Sequence, residues 1–108
     1  MVINVYNPSN AAHRAARIAM PQRFDFTMQH KFIKTYTPLL YDKAINEIEI
    51  ELSEVDFLDS SALNMLMQLK ELAAATNKSL SLLNTSVLIS RALEITDLSG
   101  MFNIRQTA

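Results

Sequence analysis

The chain has 108 residues, no cysteine, a formal charge of −1, and 49% hydrophobic against 19% charged residues. That length suits one domain with a single core, and the composition is that of a globular rather than a disordered chain. The absence of thiols excludes disulfides, thiolate metal sites and cysteine nucleophiles, while the scattered Lys and Arg offer no cluster for a nucleic-acid backbone or an anionic membrane.

A cysteine-free chain fits a reducing compartment, so the cytoplasm is the expected location. The N-terminal MVINVYNPSN has no basic stretch followed by a long apolar core, and no segment approaches the roughly 18 apolar residues that suggest a span. Direct membrane insertion is therefore not expected. Without a repeat, low-complexity tract or linker, the chain reads as one domain over residues 1–108.

In chain order, Val2 to Tyr6 and Arg17 to Met20 are short apolar runs that read as strands, with Asn, Pro and Ser at 7–10 as turn residues. The AAHRAA between them is ambiguous. After Pro21, Asp25 can cap a helix in which Met28, Phe32, Ile33 and Tyr36 recur at three-to-four spacing until Pro38 stops or kinks it. NEIEIELSEVDFLD then alternates, with Ile48, Ile50 and Leu52 on one side and Glu47, Glu49 and Glu51 on the other, which predicts a strand with one solvated face. A long helix is expected from about Ser60 to Thr76, with Asn64, Gln68, Glu71 and Lys78 on one face and Leu66, Leu69, Leu72 and Ala73 on the other. Asn77 can end it. SLSLLN reads as a strand, SVLISRALEITDL as a helix capped by Ser86, and MFNIRQ, after the single glycine Gly100, as a last short strand.

Strands alternating with helices imply parallel pairing through right-handed crossovers. A glutamate row on one strand face argues against a sheet covered by helices on both sides. The expected architecture is thus a one-sided β-α superhelix: an α/β fold with a mixed, mostly parallel sheet and its helices chiefly on one face.

Functional residues of an open parallel sheet gather at the carboxyl ends of its strands. Asp59-Ser60-Ser61 stands there, at a strand-to-helix junction, and so does Asp25 at the entry to the first helix. Asp59 suffices as a helix N-cap, which leaves two hydroxyls unaccounted for. Hydrolase chemistry is disfavoured, because only His13 and His30 could serve as bases and there is no G-x-S-x-G elbow. The lack of glycines before the helix disfavours a phosphate-cradling loop, and glutamates spaced about 7 Å apart on a strand make a poor metal site. No catalytic, cofactor or metal residues are assigned. What remains for an exposed serine at a helix N-terminus is to accept a phosphoryl group, whose charge of about −1.5 to −2 can switch an interface.

The segment IEIELSEVDFLDSSALNMLMQL, with MPQRFDF before it and LSLLNTSVLISRALEITDLSGMFNI after it, resembles the STAS domain family, specifically its single-domain bacterial anti-sigma factor antagonists. The resemblance implies that Ser60 is the phosphoacceptor and that Asp25 lies in the partner-facing loop. It also implies a partner that is a serine protein kinase, often itself an anti-sigma factor, bound when Ser60 is unphosphorylated and released on phosphorylation. A metal-dependent serine phosphatase would reset the switch. Ala62 and Asn64 stand where the family commonly has glycines, which should stiffen the start of this helix. Leu63 and Met67, on the helical face of Ser60, are either core residues or an apolar footing for the partner. The expected partner-binding set is therefore Asp25, Asp59, Ser61, Leu63, Asn64 and Met67. A rival expectation is a constitutive structural subunit docked on an ATP-driven lipid transporter, with Ser60 merely part of the cap.

Overall fold

The computed structural model describes residues 1–7 and 13–107, so most of the expected turn at 7–10 and the first part of AAHRAA lie outside the described residues. The element order is β1 (Val2–Tyr6), β2 (Ala15–Ala19), β3 (Arg23–Phe24), a 3-10 turn (Phe26–Met28), α1 (Gln29–Leu40), β4 (Glu47–Glu51), β5 (Phe57–Leu58) and α2 (Ser60–Ala75). It continues with β6 (Ser79–Leu83), α3 (Val87–Ile95), a second 3-10 turn (Ser99–Met101) and β7 (Asn103–Arg105).

Five strands form one sheet in the order β1-β2-β4-β6-β7, antiparallel between β1 and β2 and parallel thereafter. The parallel pairs follow helical crossovers, as the alternation of elements requires. Ile18, Ile50, Leu82 and Ile104 are in register across the sheet. Buried Ala16, Ile18, Ile48, Ile50 and Leu82 share one core with Phe32, Tyr36, Leu39 and Leu40 of α1, Leu66, Leu69 and Ala73 of α2, and Ile89 and Leu93 of α3. All three helices therefore pack on the same side of the sheet. Ala15 and Leu83 are buried on the opposite face and stand outside that core.

The opposite face corrects the sequence reading. Glu47 and Glu49 were expected in solvent but are 7% and 1% exposed, and Glu51 is half-buried. No helix covers them. Long side chains from neighbouring strands do: Arg17 reaches Glu49 at 3.2 Å, Arg105 reaches Glu49 at 2.6 Å and Glu47 at 3.1 Å, and the Tyr6 hydroxyl donates to Glu49. Ser81 donates to Glu47 at 2.7 Å and Asn84 to Glu51 at 2.8 Å. Strict alternation shows which residues share a face, but not what the adjacent strands place over them. Here β2 sets Arg17 directly opposite Glu49, and Arg105 of β7 reaches across β6.

Three smaller corrections bear on the site. The alternating run is not one strand, because it breaks after Leu52 in a turn where Ser53 N–H donates to the Glu51 carboxylate at 2.9 Å and Val55 N–H to Leu52 at 3.1 Å. Pro38 does not stop α1, which continues to Leu40 because buried Leu39 and Leu40 hold its last turn on the core. Leu72 is 42% exposed, and Met65 takes the inward position instead, since the stripe through Ala62, Leu66, Leu69 and Ala73 leaves residue 72 at its margin.

Candidate functional site

Beyond the break, the chain forms a second, two-stranded parallel sheet in which β3 pairs with β5, Arg23 opposite Phe57 and Phe24 opposite Leu58. This small sheet builds the site. Parallel pairing in that register delivers the next residues, Asp25 and Asp59, side by side at the strands' carboxyl ends. Phe24 anchors it from below, edge-on to Phe32 at 5.4 Å, with Phe32 edge-on to Tyr36 at 5.1 Å. Above, the Arg23 guanidinium lies 4.1 Å from the centroid of the Phe57 ring, and Asp56 N–H donates to Gln22 at 2.9 Å.

Asp59 links the two loops. One carboxylate oxygen accepts from Ala62 N–H at 2.9 Å and caps α2, and the other accepts from Phe26 N–H at 3.1 Å, at the start of the 3-10 turn. Asp25 is in the expected loop, but its carboxylate is turned inward and is 4% exposed. It accepts from the Thr27 hydroxyl and from Thr27 N–H at 3.0 Å, and it pairs with Arg23 at 3.1 Å. The Thr27 hydroxyl bond is the largest influence on Asp25 and, helped by the Thr27 N–H and Arg23, outweighs burial to hold its pKa below the usual carboxylate value. Asp25 thus shapes the loop rather than presenting a charge.

Ser60 is the first residue of α2 and is exposed, and among the described residues its hydroxyl takes part in no hydrogen bond. Ser61 is half-buried, Asn64 exposed and Met67 half-buried. Leu63 points inward at 8% exposure and belongs to the core, which leaves little of it for a partner to touch. Ala62, where a glycine was the family expectation, is fully buried against that core.

An open groove of about 330 Å³ runs along α2, lined by Ser61, Asn64, Met67, Gln68 and Glu71, with Gln29 on its far wall. A second, shallower hollow of about 420 Å³ lies on the other side of Gln29, against Phe26, Thr27, His30 and Ile33. Sequence reasoning missed this half of the surface. Phe26, the residue after Asp25, is 65% exposed. An aromatic beside an acidic turn at the functional sheet edge was the signal that could have found it.

Among the described residues, no group of three or more His, Asp or Glu is placed to hold a metal ion, and no helix is long and apolar enough to cross a membrane.

Comparison with known proteins gives concordant results. A family model described as "Mlab, STAS domain" matches residues 10–105. A STAS-domain containing protein of Pseudomonas aeruginosa is 33% identical over 92 residues, spanning 81% of this chain and 84% of that protein. An anti-sigma-factor antagonist (STAS) domain protein of Planctomyces limnophilus superposes with a TM-score of 0.77 at 18% identity, covering 98% of this chain and 91% of its own. The Bacillus anti-sigma factor antagonist SpoIIAA, solved unphosphorylated and phosphorylated, gives TM-scores of 0.71 and 0.66 at 13% and 14% identity. Each of these covers 99% of this chain, and 89% and 92% of SpoIIAA. At these identities the solved structures establish the fold, and the family rests on the model match and the Pseudomonas relative.

Proposed function

This chain belongs to the STAS domain family, and from that premise we propose that it is a non-enzymatic, phosphorylation-controlled binding switch of the anti-sigma factor antagonist type, with Ser60 as the phosphoacceptor. The observation that carries this reading is the division of labour at the N-terminus of α2. Asp59 already caps the helix, so the neighbouring Ser60 hydroxyl is exposed and uncommitted. A kinase would join Ser60 Oγ to the γ-phosphorus of ATP, with ADP leaving and the hydroxyl proton passing to a base on the kinase. The product carries about −1.5 to −2 charge, accommodated by the positive end of α2 but set against Asp59 and against any apolar or acidic surface seated there.

The binding surface in this reading is the exposed Ser60 and Asn64 and the half-buried Ser61 and Met67 on α2, together with Phe26 and Ile33 across Gln29. Phe26 supplies the aromatic anchor typical of an interface centre, and Met67 an adaptable contact. The partner is a serine kinase that doubles as an anti-sigma factor, and a metal-dependent phosphatase reverses the modification. Such a system operates in the cytoplasm.

A second reading has one observation in its favour, since the matching family model is named for Mlab rather than for the antagonists. In it the chain is a constitutive subunit of an ATP-driven lipid transporter, α2 is an assembly surface, and Ser60 is never modified. Affinity capture separates the two. Ser60→Ala used as bait should retain a kinase that Ser60→Glu retains poorly, and that kinase with ATP should add one phosphate to the wild-type chain, mapped to Ser60 by mass spectrometry. Equal recovery of a membrane ATPase by both baits, with no phosphate on Ser60, contradicts the switch.

A further inference from the structure

The two outer edges of the five-stranded sheet are protected very differently. At one end β7 has three residues and carries Arg105, whose side chain is tied to Glu47 and Glu49. A short strand bearing a charge is a usual defence against edge-to-edge pairing. At the other end β1, Val2-Ile3-Asn4-Val5-Tyr6, is five residues long, has no charge and no proline, and among the described residues pairs on one side only, with β2. Val2, Ile3 and Val5 are 69%, 45% and 40% exposed. The register with β2 sets Ile3 beside Ile18 and Val5 beside Ala16, so the apolar face of the sheet continues onto β1 beyond the core.

We infer that β1 is an interaction edge, and that its occupant is β1 of a second copy of this chain, antiparallel about a two-fold axis through Asn4. The strand's own pattern selects that partner. It is nearly palindromic about Asn4, so the two-fold places Ile3 opposite Val5 of the second copy on the helix side, and Val2 opposite Tyr6 on the glutamate side. Cross-strand neighbours lie on the same face in an antiparallel pair, so apolar meets apolar at both Ile3–Val5 positions, Val2 meets the base of the Tyr6 ring, whose hydroxyl stays on Glu49, and no like charges meet. The two sheets join into one with all helices on a common side, and Asn4 faces Asn4 at the centre. The edge itself buries well under the roughly 800 Å² per partner of a stable interface, so the dimer should be weak, with half-association at about 0.1–1 mM. This pairing is independent of Ser60, which sits on a different element.

Because the chain has no cysteine, a single introduced thiol reports the geometry directly. Asn4→Cys in the full chain should be joined by a short bis-maleimide about tenfold faster than Ala74→Cys, an exposed control on α2, because only the former holds its thiols within cross-strand reach of about 5 Å. Adding Ile3→Lys with Val5→Lys should remove that advantage, and Ile3→Lys with Val5→Glu should restore most of it, since each introduced cation then faces an anion. Circular dichroism checks that every variant is folded. Equal rates at positions 4 and 74, an advantage that survives the double lysine variant, or a wild-type chain that sediments as a monomer up to about 1 mM each overturn the inference.

Discussion

Asp59 accepts two hydrogen bonds in two directions, to Ala62 N–H and to Phe26 N–H, and this makes it more than a cap. Asparagine caps a helix about as well as aspartate but has only one acceptor oxygen, so it can serve one of these donors and must leave or repel the other. Asp59→Asn is expected to cost about 1 kcal/mol and Asp59→Ala about 2 kcal/mol in urea unfolding, both with loss of partner affinity from a loosened Phe26 turn. An Asp59→Asn protein as stable as wild type would show that the Phe26 bond contributes nothing. Ser60→Ala, by contrast, removes a hydroxyl with no partner among the described residues and should leave the unfolding free energy within about 0.5 kcal/mol of wild type. Asp59 as a cap was legible from the sequence. Its second bond was not, because Phe26 lies 33 positions away and is brought near only by the pairing of β3 with β5.

At the level of elements, α2 was readable almost to the residue, since a capping acid precedes it and Asn77 follows it. Asn77 has φ 60°, the left-handed conformation that ends helices. What could not be read was the break in the alternating run. Val55, Phe57 and Leu58 continue the apolar character of a strand, and only the turn after Leu52 reveals that Phe57 and Leu58 belong to another sheet. Leu63 was likewise open between core and interface, since the helical period places it at the edge of the apolar stripe, and packing decided for the core. The end of α3 offers a prediction. Asp97 follows the cap Thr96 with φ 60°, and its carboxylate sits at the negative end of the helix. Asp97→Gly should therefore stabilise the protein by about 0.5–1 kcal/mol, seen as a higher melting temperature, and a lower one would contradict this account of the terminus.

For the whole molecule, the fold class followed from element alternation, whereas the burial of the glutamate face did not, because it depends on Arg17 from the adjacent β2 and on Arg105, which reaches over β6 from β7. Removing Glu49 takes the acceptor from the Tyr6 hydroxyl and one partner each from Arg17 and Arg105, which keeps Glu47, so Glu49→Ala should cost about 2 kcal/mol, against less than about 0.5 kcal/mol for exposed Glu54→Ala. The pH dependence follows two groups with opposite signs. Burial first, and then the bond to Glu49, raises the Tyr6 pKa, so the stability it supplies is complete below about pH 10 and is lost as pH climbs through the raised value. Asp25 is lowered, first by the Thr27 hydroxyl, so its contribution is present above about pH 4 and disappears as pH falls through the depressed value. Asp25→Asn should accordingly flatten the loss of stability as pH falls below about 4. All of this architecture holds one exposed hydroxyl beside an adaptable groove, and the claim that matters most concerns that hydroxyl. Its direct test is calorimetric titration of the captured partner with the wild-type chain and with the same chain carrying phosphoserine at position 60. Tight binding is expected of the first and an affinity weaker by about a hundredfold, near 2.8 kcal/mol, of the second; equal affinities would contradict the switch.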